Sequence, residues 1–168
     1  LEIHKMELIE EEYSVSAMFR ELVDIIQVRM AEKELNFQVQ IDERIPAKLY
    51  GDERRVKQIL LNLLSNAVKY TEEGTVTLNC SFERISQERI CMIVSVADTG
   101  IGIRKEELEH LFDAFRRVNL EQNRKIEGTG LGLSIAKHLV DLMGGEITVD
   151  SIYTQGSEFR VKFEQRIS

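Results

Sequence analysis

Gln58-Ile-Leu-Leu-Asn62-Leu-Leu-Ser-Asn66-Ala-Val-Lys69-Tyr70, taken with the glycine turns Asp98-Thr-Gly100-Ile-Gly102 and Gly128-Thr-Gly130-Leu-Gly132, decides how this chain folds. At about 100° per residue, Val56, Ile59, Leu60, Leu63, Leu64, Ala67 and Val68 make one broad apolar stripe of a helix, which Leu61 widens. Asn62, Asn66 and Lys69 fall together on the flank that the stripe leaves over. Asparagine is a weak helix former, so two of them in register on a mostly buried helix call for a chemical reason. A side-chain carbonyl is a hard oxygen ligand suited to magnesium, and a lysine one turn on is suited to phosphate.

Outward from that stretch, the elements alternate in type. Ser14 or Ser16 caps a helix carrying Phe19, Leu22, Val23, Ile26 and Met30 at helical spacing. Asn36 to Asp42 alternates, with Phe37, Val39 and Ile41 on one face of a strand. Pro46 sits in a connector before Gly51, and Asp52 is placed to cap the central helix, which stops near Gly74. Val76, Leu78, Cys80 and Phe82 alternate with polar residues, predicting a strand with one wet face. Ile90 to Ala97 is almost continuously apolar and predicts a strand covered on both faces. Leu108, Leu111, Phe112 and Phe115 predict a short helix, and Arg116 to Glu127, polar and aperiodic, a lid. A second amphipathic helix runs from Gly132 to Met143 and stops at Gly144-Gly145. Ile147 to Ile152 and Glu158 to Glu164 form a closing hairpin around Gln155-Gly156. The sum is an α+β, two-layer sandwich, with helices packed on one face of a mixed, largely antiparallel sheet.

Composition narrows the function. A chain of 168 residues with 43% hydrophobic content is one domain with a sizeable core. Its net charge of −7 argues against nucleic acid or an anionic membrane as partner. No apolar run approaches the roughly 20 residues that span a bilayer. Cys80 and Cys91 lack a CxxC partner and are expected to be buried free thiols in a reducing compartment. The start on Leu1 and the charged stretch to Glu12, which reads as the frayed end of a longer helix, suggest a piece of something larger.

Each glycine turn by itself says little. Asp98 could simply cap a following helix, or it could accept from a ligand amino group at the floor of a pocket. Its glycines would let the backbone approach that ligand. Gly128 to Leu133 is no dinucleotide fingerprint, because Leu133 stands where the third glycine belongs and no strand precedes the motif. A helix start there still offers backbone N–H groups to an anion. Tyr70 could be helix-end packing, and Arg116 and Arg117 a solvated charge pair. His4, His110 and His138 are scattered, and His138 keeps the apolar spacing of its helix, as a structural residue would.

Taken in order, NLLSNAVKYT, VADTGIGI, LFDAFRRV, GTGLGLSIAKHLV and GSEF resemble the ATP-binding catalytic domain of two-component sensor histidine kinases. That domain belongs to the GHKL superfamily, whose fold is the Bergerat-type sandwich. The resemblance runs from about Tyr13 to Phe163, and the phenylalanine motif points to histidine kinases within the superfamily. It implies ATP and Mg²⁺ as cofactors. Asn66 would supply the metal-coordinating carbonyl, with Asn62 supporting it and Lys69 reaching the phosphates. Tyr70 would lie along the adenine, Asp98 would accept from its amino group, and Gly100 and Gly102 would line the base pocket. Gly128, Thr129, Gly130, Leu131 and Gly132 would meet the phosphates, and Arg117 the γ-phosphate. Ser157 matches a hydroxyl that in related ATPases helps to hold the adenine-binding aspartate. Thr154 departs from the pattern, since many members have glycine there.

The resemblance also divides the chain, with residues 1–12 as the tail of a linker and 13–168 as the catalytic domain. No histidine lies in a phosphoacceptor helix, so the acceptor is expected on a separate dimerisation domain of the same protein. A response-regulator receiver domain would follow downstream. The segment alone would bind ATP without phosphorylating itself and make no membrane contact. It would lie in the cytoplasm even where the whole protein is membrane-anchored. Two alternatives stay open: a stand-alone GHKL ATPase or serine-directed relative, and a non-catalytic nucleotide-binding module.

Overall fold

The apolar stripe around Asn62 and Asn66 becomes the middle helix of the fold. The computed structural model describes residues 7–112 and 132–168. Its elements are β1 (Glu11–Ser14), α1 (Val15–Glu32), β2 (Asn36–Ile41), β3 (Lys48–Gly51), α2 (Glu53–Lys69), β4 (Thr75–Arg84), β5 (Arg89–Asp98), α3 (Lys105–Leu108), α4 (Gly132–Leu142), β6 (Glu146–Ile152) and β7 (Gly156–Ile167). α2 lies between α1 and α4 and buries Val56, Ile59, Leu60, Leu63, Leu64, Ala67 and Val68. Side chains of this size contribute roughly 1.5–3 kcal/mol each when fully buried. Side-chain caps start the first two helices. Ser14 Oγ accepts from Ala17 N at 3.2 Å. Asp52 accepts from Arg55 N at 3.1 Å and also from Ile9 N at 2.7 Å, tying the entering chain to the start of α2.

The helices cover one face of a seven-stranded sheet in the order β1-β3-β7-β5-β4-β2, with β6 alongside the first half of β7. Only β2–β4 is parallel among these pairings. On β5, Ile90, Met92, Val94 and Val96 are buried beneath the helices. The alternate residues Cys91, Ile93 and Ser95 are only half-buried, against the sequence expectation of a strand covered on both faces. They lie beside Asn79, Ser81, Glu158, Arg160 and Lys162, whose polar ends face water while their stems shade the strand. Cys80 is buried, and burial pushes its thiol up to about 12; Cys91 is half-buried, and both cysteines are free.

Two edge strands depart from the sequence expectation. Glu11 and Glu12, expected in a frayed helix end, join Tyr13 and Ser14 in a strand that pairs with Lys48–Gly51, expected as a connector. Four polar-rich residues carry too little alternation to announce a strand, and long-range pairing decides instead. The strand takes in Glu11 and Glu12 ahead of Tyr13, whose hydroxyl donates to Gln165 Oε1 at 2.7 Å. The closing hairpin forms where expected, with β7 continuing to Ile167. Among the described residues, no helix is long and apolar enough to cross a membrane.

α1 stops without the glycine that usually marks a helix end. Leu35 N donates to Met30 O at 2.8 Å and Glu34 N to Ala31 O at 3.0 Å, which forces Glu34 to a φ of 57°. Left-handed backbone at an exposed non-glycine residue costs about 1–2 kcal/mol, of which glycine's greater unfolded freedom returns part. Glu34→Gly is therefore expected to stabilise the domain by about 0.5–1 kcal/mol. Its thermal midpoint should rise by about 1–4 °C in a melting experiment; a fall would show that Glu34 contributes something other than strain.

Candidate functional site

The C-terminal half of α2 and the loop after β5 enclose a cleft of about 230 Å³. Asn66 and Tyr70 line it from the helix, and Asp98 and Gly102 from the strand end and its loop. Ile101, Ile103, Leu133 and Phe159 supply apolar wall. Phe112 packs edge-on against Phe159 at 6.3 Å between ring centroids, so part of the phenylalanine motif braces that wall from behind. Arg104, Glu107 and Tyr153 complete the rim.

One joint brings the helix and the loop together. Ile101 N donates to the Tyr70 carbonyl at 3.1 Å. A Cβ on Gly100 would lie 2.2 Å from Tyr70 O and 2.8 Å from Thr71 Oγ1, and one on Gly102, whose φ is +73°, would lie 2.3 Å from Ile152 O. The sequence assigned both glycines to close approach of a ligand. Their close neighbours are instead protein backbone, the end of α2 for Gly100 and the end of β6 for Gly102, and only Gly102 also lines the cleft. Thr71 Oγ1 is fully buried at this joint without a hydrogen-bond partner, facing Gly100.

A second joint fixes the other side of the loop. Thr154 N donates to Ile101 O at 2.6 Å, and Ile103 N to Ser151 Oγ at 2.8 Å. Thr154 itself has a φ of 76°, a left-handed backbone that glycine adopts most readily. Asp98 pairs with Ser157 across the sheet. Gly100 N donates to Asp98 Oδ1 at 2.9 Å, and the backbone N–H of Ser157 also favours the ionised carboxyl. Burial outweighs both and holds Asp98 above the ordinary aspartate value of 3.8. The Ser157 hydroxyl, expected on the aspartate, lies 2.8 Å from Ser151 Oγ instead. Ser157 thus serves Asp98 through its backbone.

The remaining site residues divide. Asn62 is not among the described residues of the cleft lining; its Nδ2 donates to Gly132 O at 3.1 Å, so that it clasps α2 to the first residue of α4. Lys69 is the last residue of α2, and Lys33 Nζ donates to the carbonyls of Val68 and Lys69 at 2.7 and 3.4 Å. Arg117, Gly128, Thr129, Gly130 and Leu131, with Phe115 and the expected lid, lie outside the described residues. The rim pair Arg104 and Tyr153 escaped the sequence, since neither belongs to a motif. Among the described residues no group of three or more His, Cys, Asp or Glu could hold a metal. A metal held here would therefore need a ligand's own oxygens beside Asn66, as magnesium does when it arrives with phosphates.

A two-layer sandwich with such a cleft between helix and loop is that of an ATP-binding domain, and the comparisons agree. Residues 51–167 match the family described as histidine kinase-, DNA gyrase B-, and HSP90-like ATPase, to which the chain belongs. Hybrid signal transduction histidine kinase B of Dictyostelium discoideum is 39% identical over 95% of this chain. The circadian input-output histidine kinase CikA of Synechococcus elongatus is 40% identical over 89% of it. The chain spans 8% and 19% of those two proteins' lengths. The crystal structure of full-length ShkA in complex with AMPPNP superposes with a TM-score of 0.79 at 32% identity, covering 97% of this chain and 32% of that one. Within the family, then, this is the catalytic domain of a histidine protein kinase of two-component signalling.

Two substitutions test the geometry. Gly100→Ala forces a methyl group into the Tyr70 carbonyl and should destabilise the domain by about 1–3 kcal/mol, read as a lower midpoint in denaturant; an unchanged midpoint would mean that the joint is loose. Asp98→Asn works in the opposite direction. A raised carboxyl pKa means that ionisation costs more in the folded state than in the unfolded one, so stability falls as pH rises from 3.8 through the raised value. Asp98→Asn should therefore melt no lower than the parent at neutral pH, with the two curves converging in acid. A variant that melted well below the parent at neutral pH would contradict this.

Proposed function

We propose that the cleft binds Mg·ATP and, in the intact protein, presents its γ-phosphoryl group to a histidine on a separate dimerisation domain. An imidazole nitrogen of that histidine would attack the γ-phosphorus as the bond to the bridging oxygen breaks, and ADP would leave. A receiver domain then takes the phosphoryl group from the histidine. The observation that carries this proposal is that Asn66 and Asp98, more than thirty residues apart in sequence, line one cleft.

The residues divide the work by position. Asp98, at the cleft floor, accepts from the adenine amino group, and Tyr70 with the apolar walls covers the ring. Asn66 would offer its side-chain carbonyl oxygen to a magnesium ion arriving with the phosphates, whose charge that ion would neutralise. Asn62 acts at one remove, holding the start of α4 against α2. Lys69, Arg117 and the segment from Gly128 to Gly132 would surround the phosphates. Positioning and charge neutralisation are most of what phosphoryl transfer requires. The unit takes in Glu11 and Glu12 through β1, so residues 11–168 constitute it and the residues before them lead to it from the dimerisation domain. The names of similar proteins include hybrid kinases, which supports a multidomain parent.

Calorimetric titration of ATP and GTP, each with and without Mg²⁺, tests the two readers together. A carboxylate that faces the adenine amino group meets a carbonyl in guanine, so ATP should bind at least about a hundredfold more tightly. Asn66→Ala should bind ATP with the affinity that the parent shows without Mg²⁺. With γ-labelled ATP the segment should acquire no acid-labile phosphate until a histidine-bearing dimerisation domain is added. Equal binding of GTP, a magnesium response that survives Asn66→Ala, or self-labelling would each refute the corresponding part. Steady hydrolysis without a partner would favour a stand-alone ATPase.

A further inference from the structure

Arg104 and Tyr153 meet at the mouth of the cleft from elements that the sequence separates widely. Arg104 immediately precedes α3, and Tyr153 opens the turn between β6 and β7. Arg104 Nη2 donates to the Tyr153 hydroxyl at 2.9 Å, while the guanidinium carbon lies 4.4 Å from the centroid of the same ring. The arginine thus lies over the face of one aromatic ring and donates to the hydroxyl at its edge. The backbone on either side is held as well, by the bonds from Thr154 to Ile101 and from Ile103 to Ser151. Both side chains are exposed, Tyr153 to 43%. An exposed arginine–tyrosine contact adds little to a fold, so stability does not explain it.

The charge of the lining gives the pair a task. The described lining carries two carboxylates, Asp98 and Glu107, and Arg104 is the one cation among those residues. A planar guanidinium fixed at a cleft mouth can stack on a heteroaromatic ring or donate to sugar hydroxyls in a way that a flexible ammonium cannot. Arg104 lies two residues beyond Gly102, and Tyr153 four residues before Ser157, the cross-strand partner of Asp98. The pair therefore belongs to the end of the cleft that carries Asp98.

We propose that Arg104, pre-oriented by Tyr153, is a further nucleotide-binding residue of this domain, contacting the base and sugar rather than the phosphates. The inference rests on the assignment of Asp98 to the base. Tyr153 is a positioning residue, because it acts through the arginine.

Calorimetric titration of the whole domain with Mg·ATP, ADP and adenosine tests it in the parent, Arg104→Ala, Arg104→Lys and Tyr153→Phe. Arg104→Ala should weaken all three ligands by a common factor of about 5–10. Arg104→Lys keeps the charge but not the plane and should recover less than half of that factor. Tyr153→Phe keeps the ring and loses the hydroxyl, and should cost about two- to threefold. Melting temperatures should stay within about 2 °C of the parent, because both groups are exposed. Affinities within twofold of the parent for Arg104→Ala would overturn the proposal. So would a loss that grows from adenosine to ADP to ATP, or full recovery in Arg104→Lys, since either makes the arginine a charge acting at a distance. If the parent itself bound no ATP, or Asp98→Asn bound as the parent does, the base assignment would fail and this inference with it. An intact Asp98 effect beside a silent Arg104→Ala would remove this inference alone.

Discussion

The hydrogen bond from Ile101 N to the carbonyl of Tyr70, with Gly100 pressed against the same oxygen, is the contact on which the site depends. A helix end has carbonyls with no partner inside the helix, and this loop supplies one. In doing so it draws the end of β5 beneath the last turn of α2. Asp98 and Asn66 then share a cleft although they belong to different layers of the sandwich. No side chain larger than hydrogen fits at Gly100, so the distance between the two layers is set by backbone contact. Thr71 has its buried hydroxyl at the same joint. Its oxygen lies 2.8 Å from where a Cβ on Gly100 would stand, so only glycine leaves room for it.

The second joint has the same logic on the opposite side. The β6–β7 turn donates to Ile101, Ser151 accepts from Ile103, and the Asp98–Ser157 pairing fixes the carboxyl from beneath. The loop is thus held from both flanks while its outer surface faces the cleft. Thr154 bears a local cost for this, because the turn requires left-handed backbone at a β-branched residue. Asp98 bears another, since burial makes its charge expensive until a ligand donor arrives. Both costs fall next to the site, where binding of an amino group would recover the second.

Much of this was legible in the sequence because it is local. The stripe of α2 and the caps Ser14 and Asp52 need only the spacing of nearby side chains. So do the alternation of β4 and the hairpin at Gln155-Gly156. The pocket membership of Asn66, Tyr70, Asp98 and Gly102 follows from ordered motifs. What the sequence concealed is non-local. β1 and β3 are strands because they meet each other and β7, and nothing in Glu11–Ser14 alone says so. The outer face of β5 is half-open because no described helix crosses it, a matter of layer count rather than composition. Asn62 lies at helical spacing from Asn66, yet it is claimed by Gly132, seventy positions away. The Arg104–Tyr153 rim carries no motif at all, although the departure from glycine at Thr154 marked the turn that places it.

The central claim is that one nucleotide touches α2 and the β5 loop at once, and amide NMR of the labelled domain tests it most directly. In a titration with Mg·ATP, the Asn66 side-chain amide and the Gly100 backbone amide, which donates to Asp98, should shift along curves with a single Kd. Adenosine alone should move Gly100 and leave Asn66 in place. Two different dissociation constants, or a Gly100 signal indifferent to the nucleotide, would contradict the account and separate the two residues into unrelated sites.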